Sequence, residues 1–181
     1  MIAECWRAAA LAEYDPNTPQ EILDEDAAKN PRDNEATLEL WDVSTGRELR
    51  SLSRRTESAA ALCFTPDGGM VASSDGSETI KLWDVASGHE VRALTGHGGH
   101  VVALAFGPDG KTLASGNGKG TIILWNVTTG RELRTHAGHY GRVTSVAFSL
   151  NGKILISGSQ DTTIKLWDVA TGKEIATLLG A

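Results

Sequence analysis

TIKLWDV stands at residues 79–85 and recurs unchanged at 163–169, with TIILWNV at 121–127 and TLELWDV at 37–43 as close copies. The tryptophans of these four copies, Trp41, Trp83, Trp125 and Trp167, are spaced by 42 residues at every step. Each copy runs into a turn of two small residues and a glycine: Ser44-Thr45-Gly46, Ala86-Ser87-Gly88, Thr128-Thr129-Gly130 and Ala170-Thr171-Gly172. Residues 79–120 laid on 121–162 without a gap give 19 identities in 42 positions. A period of this length marks a repeat architecture, in which one supersecondary unit buries its faces by stacking on copies of itself.

Working outward from the tryptophan, each unit reads as four short strands. VVALAF (101–106) is apolar, and Pro108-Asp109-Gly110-Lys111 is a tight turn. TLASG (112–116), TIILWNV (121–127) and ELRTHA (132–137) follow, with β-branched residues and a Gly-rich or Thr-Gly turn between them. Asp67-Gly68, Asp109-Gly110 and Asn151-Gly152 repeat the hairpin signal in register. Strands joined by such short turns predict an antiparallel four-stranded meander, too thin to bury both faces alone.

Gly96-His97 and Gly138-His139 are each followed by the tryptophan motif 28 residues after the histidine. This combination resembles the WD-repeat β-propeller family, over residues 37–181. The resemblance implies an all-β propeller segment of about three and a half four-stranded blades. It also implies a buried polar chain joining the Gly-His histidine, a serine on the second strand, an aspartate before the third strand and the indole. The third full unit matches at His139, Ser157, Asp161 and Trp167. The second keeps His97, Ser115 and Trp125 but has Lys119 at the aspartate position, and the first keeps Ser73 and Trp83 with Arg55 and Ser77 at the other two. Propellers close with four or more blades, so an array of three and a half is expected to expose edges that need covering. A homodimer completing a ring is one expectation, and a fragment of a larger multidomain propeller protein is another.

Residues 1–36 leave the repeat. Two prolines in PNTPQEI (16–22) oppose a central strand. Residues 2–14 are Ala-rich, and Thr18-Pro19-Gln20-Glu21 is a capping box opening a helix to about Asn30. The segment is therefore expected to be a short acidic helical extension, and WRAAALAEYDPNTPQEIL (6–23) resembles one turn of a leucine-rich-repeat-variant helical solenoid. It holds nine acids against three bases, while residues 37–181 hold fourteen of each. The net charge of −6 thus belongs to the extension. A neutral body argues against nucleic acid as a partner. With 181 residues, 40% apolar and 22% charged, the chain is not wholly disordered. No apolar run reaches membrane-spanning length, and the N-terminus lacks the pattern of a secretory signal. Cys5 and Cys63 are too few for a disulfide framework and are expected to be reduced thiols in a cytoplasmic chain.

No catalytic constellation emerges. His97-Gly-Gly-His100 and His136-Ala-Gly-His139 share an HxxH spacing, but they do not align with each other and no further ligand stands near. Cys63 has no histidine or acid in its unit to activate it. Ser73, Ser115 and Ser157 lack a nucleophile elbow. The glycine-rich loop 116–120 has no following helix to cradle a phosphate. The expectation is a non-enzyme without metal or cofactor. In a propeller, the loops from strand four to strand one and from strand two to strand three share a rim. They place Gly98, His100, Tyr140 and Arg142 beside Ser77, Glu78, Lys119 and Gln160. Rim loops on a rigid scaffold carry binding. His100, Lys119, Tyr140, Arg142 and Gln160 are accordingly the candidate surface for a protein or peptide partner.

Overall fold

The computed structural model describes residues 36–56 and 60–179. The helices read into residues 2–30, and the solenoid-like stretch 6–23, lie outside the described residues. Within them the chain forms fourteen strands and no helix. β1 (Ala36–Asp42) and β2 (Arg47–Thr56) make a two-stranded antiparallel half-blade. Blade 1 is β3 (Ala61–Phe64), β4 (Met70–Ser74), β5 (Ile80–Asp84) and β6 (Glu90–Leu94). Blade 2 is β7 (Val101–Phe106), β8 (Thr112–Asn117), β9 (Thr121–Asn126) and β10 (Glu132–Ala137). Blade 3 is β11 (Val143–Phe148), β12 (Ile154–Ser159), β13 (Thr163–Asp168) and β14 (Glu174–Leu179). Strand order follows chain order in every blade, so each is an antiparallel meander.

The third strand shows why the sequence is apolar on both sides. In β9, Ile122 and Leu124 point towards blade 3 while Ile123 and Trp125 point towards blade 1. A strand covered on both faces reads as a continuous apolar run instead of an alternation. Three apolar layers result. Leu38, Leu40 and Leu52 of the half-blade pack on Val71 and Trp83. Ala72, Ile80, Leu82 and Leu94 of blade 1 pack on Val101, Leu113 and Trp125 of blade 2. Ala114, Ile122 and Leu124 of blade 2 pack on Val143, Leu155 and Trp167 of blade 3.

The acidic half of the tryptophan motif is a turn-former. Asp84 Oδ1 accepts from the Ser87 amide at 2.7 Å and from its hydroxyl at 2.6 Å, and Gly88 N closes on Asp84 O at 2.8 Å. Asp168 with Thr171 and Asn126 with Thr129 repeat the arrangement. Beside each turn the fourth strand carries one extra residue: Val91 stands unpaired opposite Leu82–Trp83, and Ile175 opposite Leu166–Trp167. A bulge bends the strand that carries it, here the outer strand of the blade as it leaves the turn. Side-chain hydrogen bonds of this kind fix a turn more cheaply than backbone pairing alone, which is why short Asx residues recur there.

Candidate functional site

In blade 3 the polar side chains form one connected chain. Trp167 Nε1 donates to Ser157 Oγ at 2.9 Å, and Ser157 Oγ lies 2.7 Å from His139 Nε2. His139 Nδ1 faces Asp161 Oδ2 at 2.9 Å. This order requires the Nδ1–H tautomer, with Nε2 accepting from the serine hydroxyl. Asp161 also accepts from the Tyr140 amide at 2.9 Å and from the Thr163 hydroxyl at 2.6 Å. Burial would raise this carboxyl, but the bonds from Thr163, the Tyr140 amide and His139 hold it well below the usual carboxylate range.

Blade 2 solves the same problem differently. Trp125 Nε1 donates to Ser115 Oγ at 2.7 Å, and Ser115 Oγ donates onward to Ile123 O at 3.3 Å. His97 Nε2 meets the Ser115 carbonyl at 3.3 Å, so this nitrogen carries the proton. Nδ1 is left buried without a partner. Lys119, in the aspartate's register, turns outward and its ammonium binds Gly98 O at 2.6 Å. Asn117 takes over the loop: its Oδ1 accepts from the amides of Lys119 and Thr121, both at 2.9 Å, and its Nδ2 donates to His97 O at 3.2 Å. Sequence reasoning missed Asn117. The available signal was an Asx residue two positions ahead of Lys119, matching Asp75 ahead of Ser77, whose Oδ1 accepts from Ser77 N at 2.9 Å. Blade 1 retains the indole bond, Trp83 Nε1 to Ser73 Oγ at 2.8 Å.

These buried groups hold the rim loops in place. The loop Gly118–Gly120 packs directly on the next blade's Gly-His turn, since a Cβ on Gly120 would strike the carbonyls of His139 and Gly141. That turn in turn leans on Gln160 and Asp161, and Gln160 N donates to Arg142 O at 2.9 Å. Lys119, Tyr140, Arg142 and Gln160 are therefore brought onto one contiguous, exposed surface. Tyr140 is almost wholly uncovered, with 99% of its surface exposed. His100 stands one junction earlier, where its Nδ1 is bound to the Gly76 carbonyl. Across these three loops the fixed charges are Lys119, Arg142 and Asp161, and the carboxylate is engaged internally. The surface offered outward is cationic and aromatic.

The remaining candidates are structural in their contacts. His136 donates from Nδ1 to Gly172 O at 3.1 Å, and its ring centroid lies 5.1 Å from that of Trp167, whose distance to the His139 ring is 6.3 Å. Burial pushes the His97 and His136 pKa values down and pushes the Cys63 thiol up to about 12. Such a thiol is a poor nucleophile.

Three consecutive segments, residues 46–84, 88–126 and 130–168, match the family model described as WD domain, G-beta repeat. The chain is similar to a solved structure described as the crystal structure of RRP9 WD40 repeats, with 34% identity and a TM-score of 0.66 over 68% of this chain and 39% of that one. It is similar also to one described as the structure of U3-55K, with 33% identity, a TM-score of 0.66 and the same shares of 68% and 39%. The chain thus spans 39% of the length of these two structures. Among curated proteins, none matches its sequence.

Proposed function

As a member of the WD domain, G-beta repeat family, the chain is built as an interaction scaffold, and we propose that it acts without catalysis, through the rim between blades 2 and 3, on a protein or peptide partner. The observation that carries this reading is the contiguous set Lys119, Tyr140, Arg142 and Gln160, two cations around an exposed aromatic with no free carboxylate among their loops. Tyrosine and arginine are the residue types enriched at interface hot spots. A partner segment carrying carboxylates beside an apolar side chain fits this chemistry, with the charges setting encounter rate and register more than affinity.

A photo-crosslinking residue at position 140 tests the proposal, with Arg142→Glu as the companion variant. Crosslinking to a partner that is lost on charge reversal, with circular dichroism unchanged, supports it. Capture that survives Arg142→Glu undiminished places the contact elsewhere on the chain.

A further inference from the structure

Three arginines sit in the same register on the outer strands: Arg50 on β2, Arg92 on β6 and Arg134 on β10. Each reaches forward to the turn between the third and fourth strands of the next blade. Arg50 Nη1 donates to Ser87 O at 2.7 Å. Arg92 donates to Thr129 O at 3.3 Å and Thr128 O at 3.0 Å. Arg134 donates to Thr171 O at 2.9 Å and Ala170 O at 2.7 Å. The turn glycine makes room for the side chain: a Cβ on Gly88, Gly130 or Gly172 would overlap the arginine Cδ. Every junction between successive sheets is therefore closed by a guanidinium seated on turn carbonyls. A planar fork suits this task better than a lysine ammonium, because two of its donors can reach adjacent carbonyls at once.

A fourth seat of the same construction stands on the half-blade. Asp42 Oδ1 accepts from the Ser44 amide at 2.8 Å, the Ser44 hydroxyl at 2.6 Å and the Thr45 amide at 3.0 Å, and Gly46 N closes on Asp42 O at 2.8 Å. Gly46 has φ +67°, like Gly88 at +75°, and no atom of the described residues lies within 4 Å of its Cβ position. The neighbouring carboxylate repeats the pattern. Turn hydrogen bonds lower Asp42, Asp84 and Asp168 alike, with Arg50 adding to the effect at Asp84 and Arg134 at Asp168. In the 42-residue register, the position before Arg50 is Ala8 and the position after Arg134 is Ala176.

We propose that the Asp42–Gly46 turn is a guanidinium seat for a β-blade on another chain, one whose outer strand carries arginine in this register. A second copy of this chain offers Ala176 at that place, so it lacks the group that closes every other junction. This surface is separate from the rim, and either assignment stands without the other.

The full-length chain with Ala176→Arg and Gly46→Ala serves as the probe: it carries the donor and has its own seat closed. Mixed with the wild-type chain in sedimentation velocity, it is expected to form a one-to-one complex. Its affinity should exceed wild-type self-association by about tenfold or more, the order set by charge-assisted hydrogen bonds to carbonyls. Ala176→Lys should fall between the two, and Ala176→Leu should match wild type. If Gly46→Ala fails to fold, Ala176→Arg alone is measured for self-association against wild type. A mixture that sediments as its separate components overturns the proposal, and so does a leucine variant that binds as tightly as the arginine one.

Discussion

Among the described residues, blade 2 is covered on both faces and blade 3 on one, yet blade 3 carries the connected polar chain. Ile122 is fully buried between the blades, while Ile164, at the same place in the next repeat, is 44% exposed. Conversely, His139 uses both ring nitrogens, whereas His97 leaves Nδ1 without a partner. The same repeat is therefore held chiefly by apolar burial in one copy and by a satisfied buried network in the other. A buried polar group stabilises only when its partners are present, so a blade that loses its aspartate depends more on neighbours.

The largest difference should come from the apolar side. Ile122→Ala removes a fully enclosed side chain and is expected to cost about 3–4 kcal/mol. Ile164→Ala, on the open face of blade 3, should cost about 1 kcal/mol. Urea titrations of both variants check this, and equal losses would break the contrast. On the polar side, Asp161→Ala strips partners from His139, the Tyr140 amide and Thr163 together. A loss of about 2–3 kcal/mol is expected, against about 0.5 kcal/mol for Ser77→Ala, whose hydroxyl accepts one bond from Thr79 N at 3.1 Å. Indistinguishable melting temperatures for these two variants would show that the aspartate's bonds contribute nothing special.

A third change sharpens the comparison by converting one blade towards the other. Lys119→Asp places a carboxylate in the register that Asp161 occupies in blade 3, close to the orphaned Nδ1 of His97. The carboxylate can accept from Nδ1 only when His97 is doubly protonated, because Nε2–H is already committed to the Ser115 carbonyl. The gain of about 1 kcal/mol, the net value of one added buried hydrogen bond, is therefore expected at pH 5.5, despite losing the exposed bond from Lys119 to Gly98. A loss of stability relative to wild type in thermal melts at pH 5.5 would mean that Asn117 has reshaped the loop too far for the pair to form.

The propeller fold was legible because it is written as a spacing. A 42-residue period, a Gly-His turn and an inward tryptophan leave little choice of architecture, and the expected VVALAF and ELRTHA strands coincide with β7 and β10. What the spacing could not reveal depends on three-dimensional approach. Lys119 is visible as a substitution, but that Asn117 gathers the amides around it depends on the loop's backbone path. The arginines at 50, 92 and 134 are visibly periodic, yet in one strand register nothing says that each reaches a turn 36 or 37 residues onward on the next sheet. The rim residues also follow from loop order, but their contiguity rests on glycines 120 and 141 letting successive loops touch.

The smallest expected effect concerns pH, and it follows from the same unpaired nitrogen. Burial lowers the pKa values of His97 and His136 from an ordinary 6.5, although Glu132 and Glu78 pull weakly upward at His97. In the unfolded chain both histidines take up a proton as the pH falls through about 6.5. In the folded chain they resist it. The unfolded state therefore binds more protons in this window, and stability is full above pH 6.5 and declines as the pH drops below it. The lowered carboxylates act only at still lower pH, because their ordinary values are 3.8 for aspartate and 4.5 for glutamate. Melting temperatures at pH 7.5, 6.5 and 5.5 should thus fall for the wild-type chain. In Lys119→Asp the new carboxylate favours protonated His97, whose second N–H then has an acceptor while the first stays on the Ser115 carbonyl. Its folded pKa rises towards the unfolded value, and the acid-side decline should become shallower, with His136 supplying what remains. Parallel pH profiles for the two proteins would show that position 119 does not communicate with His97, and that the two blades differ in burial alone.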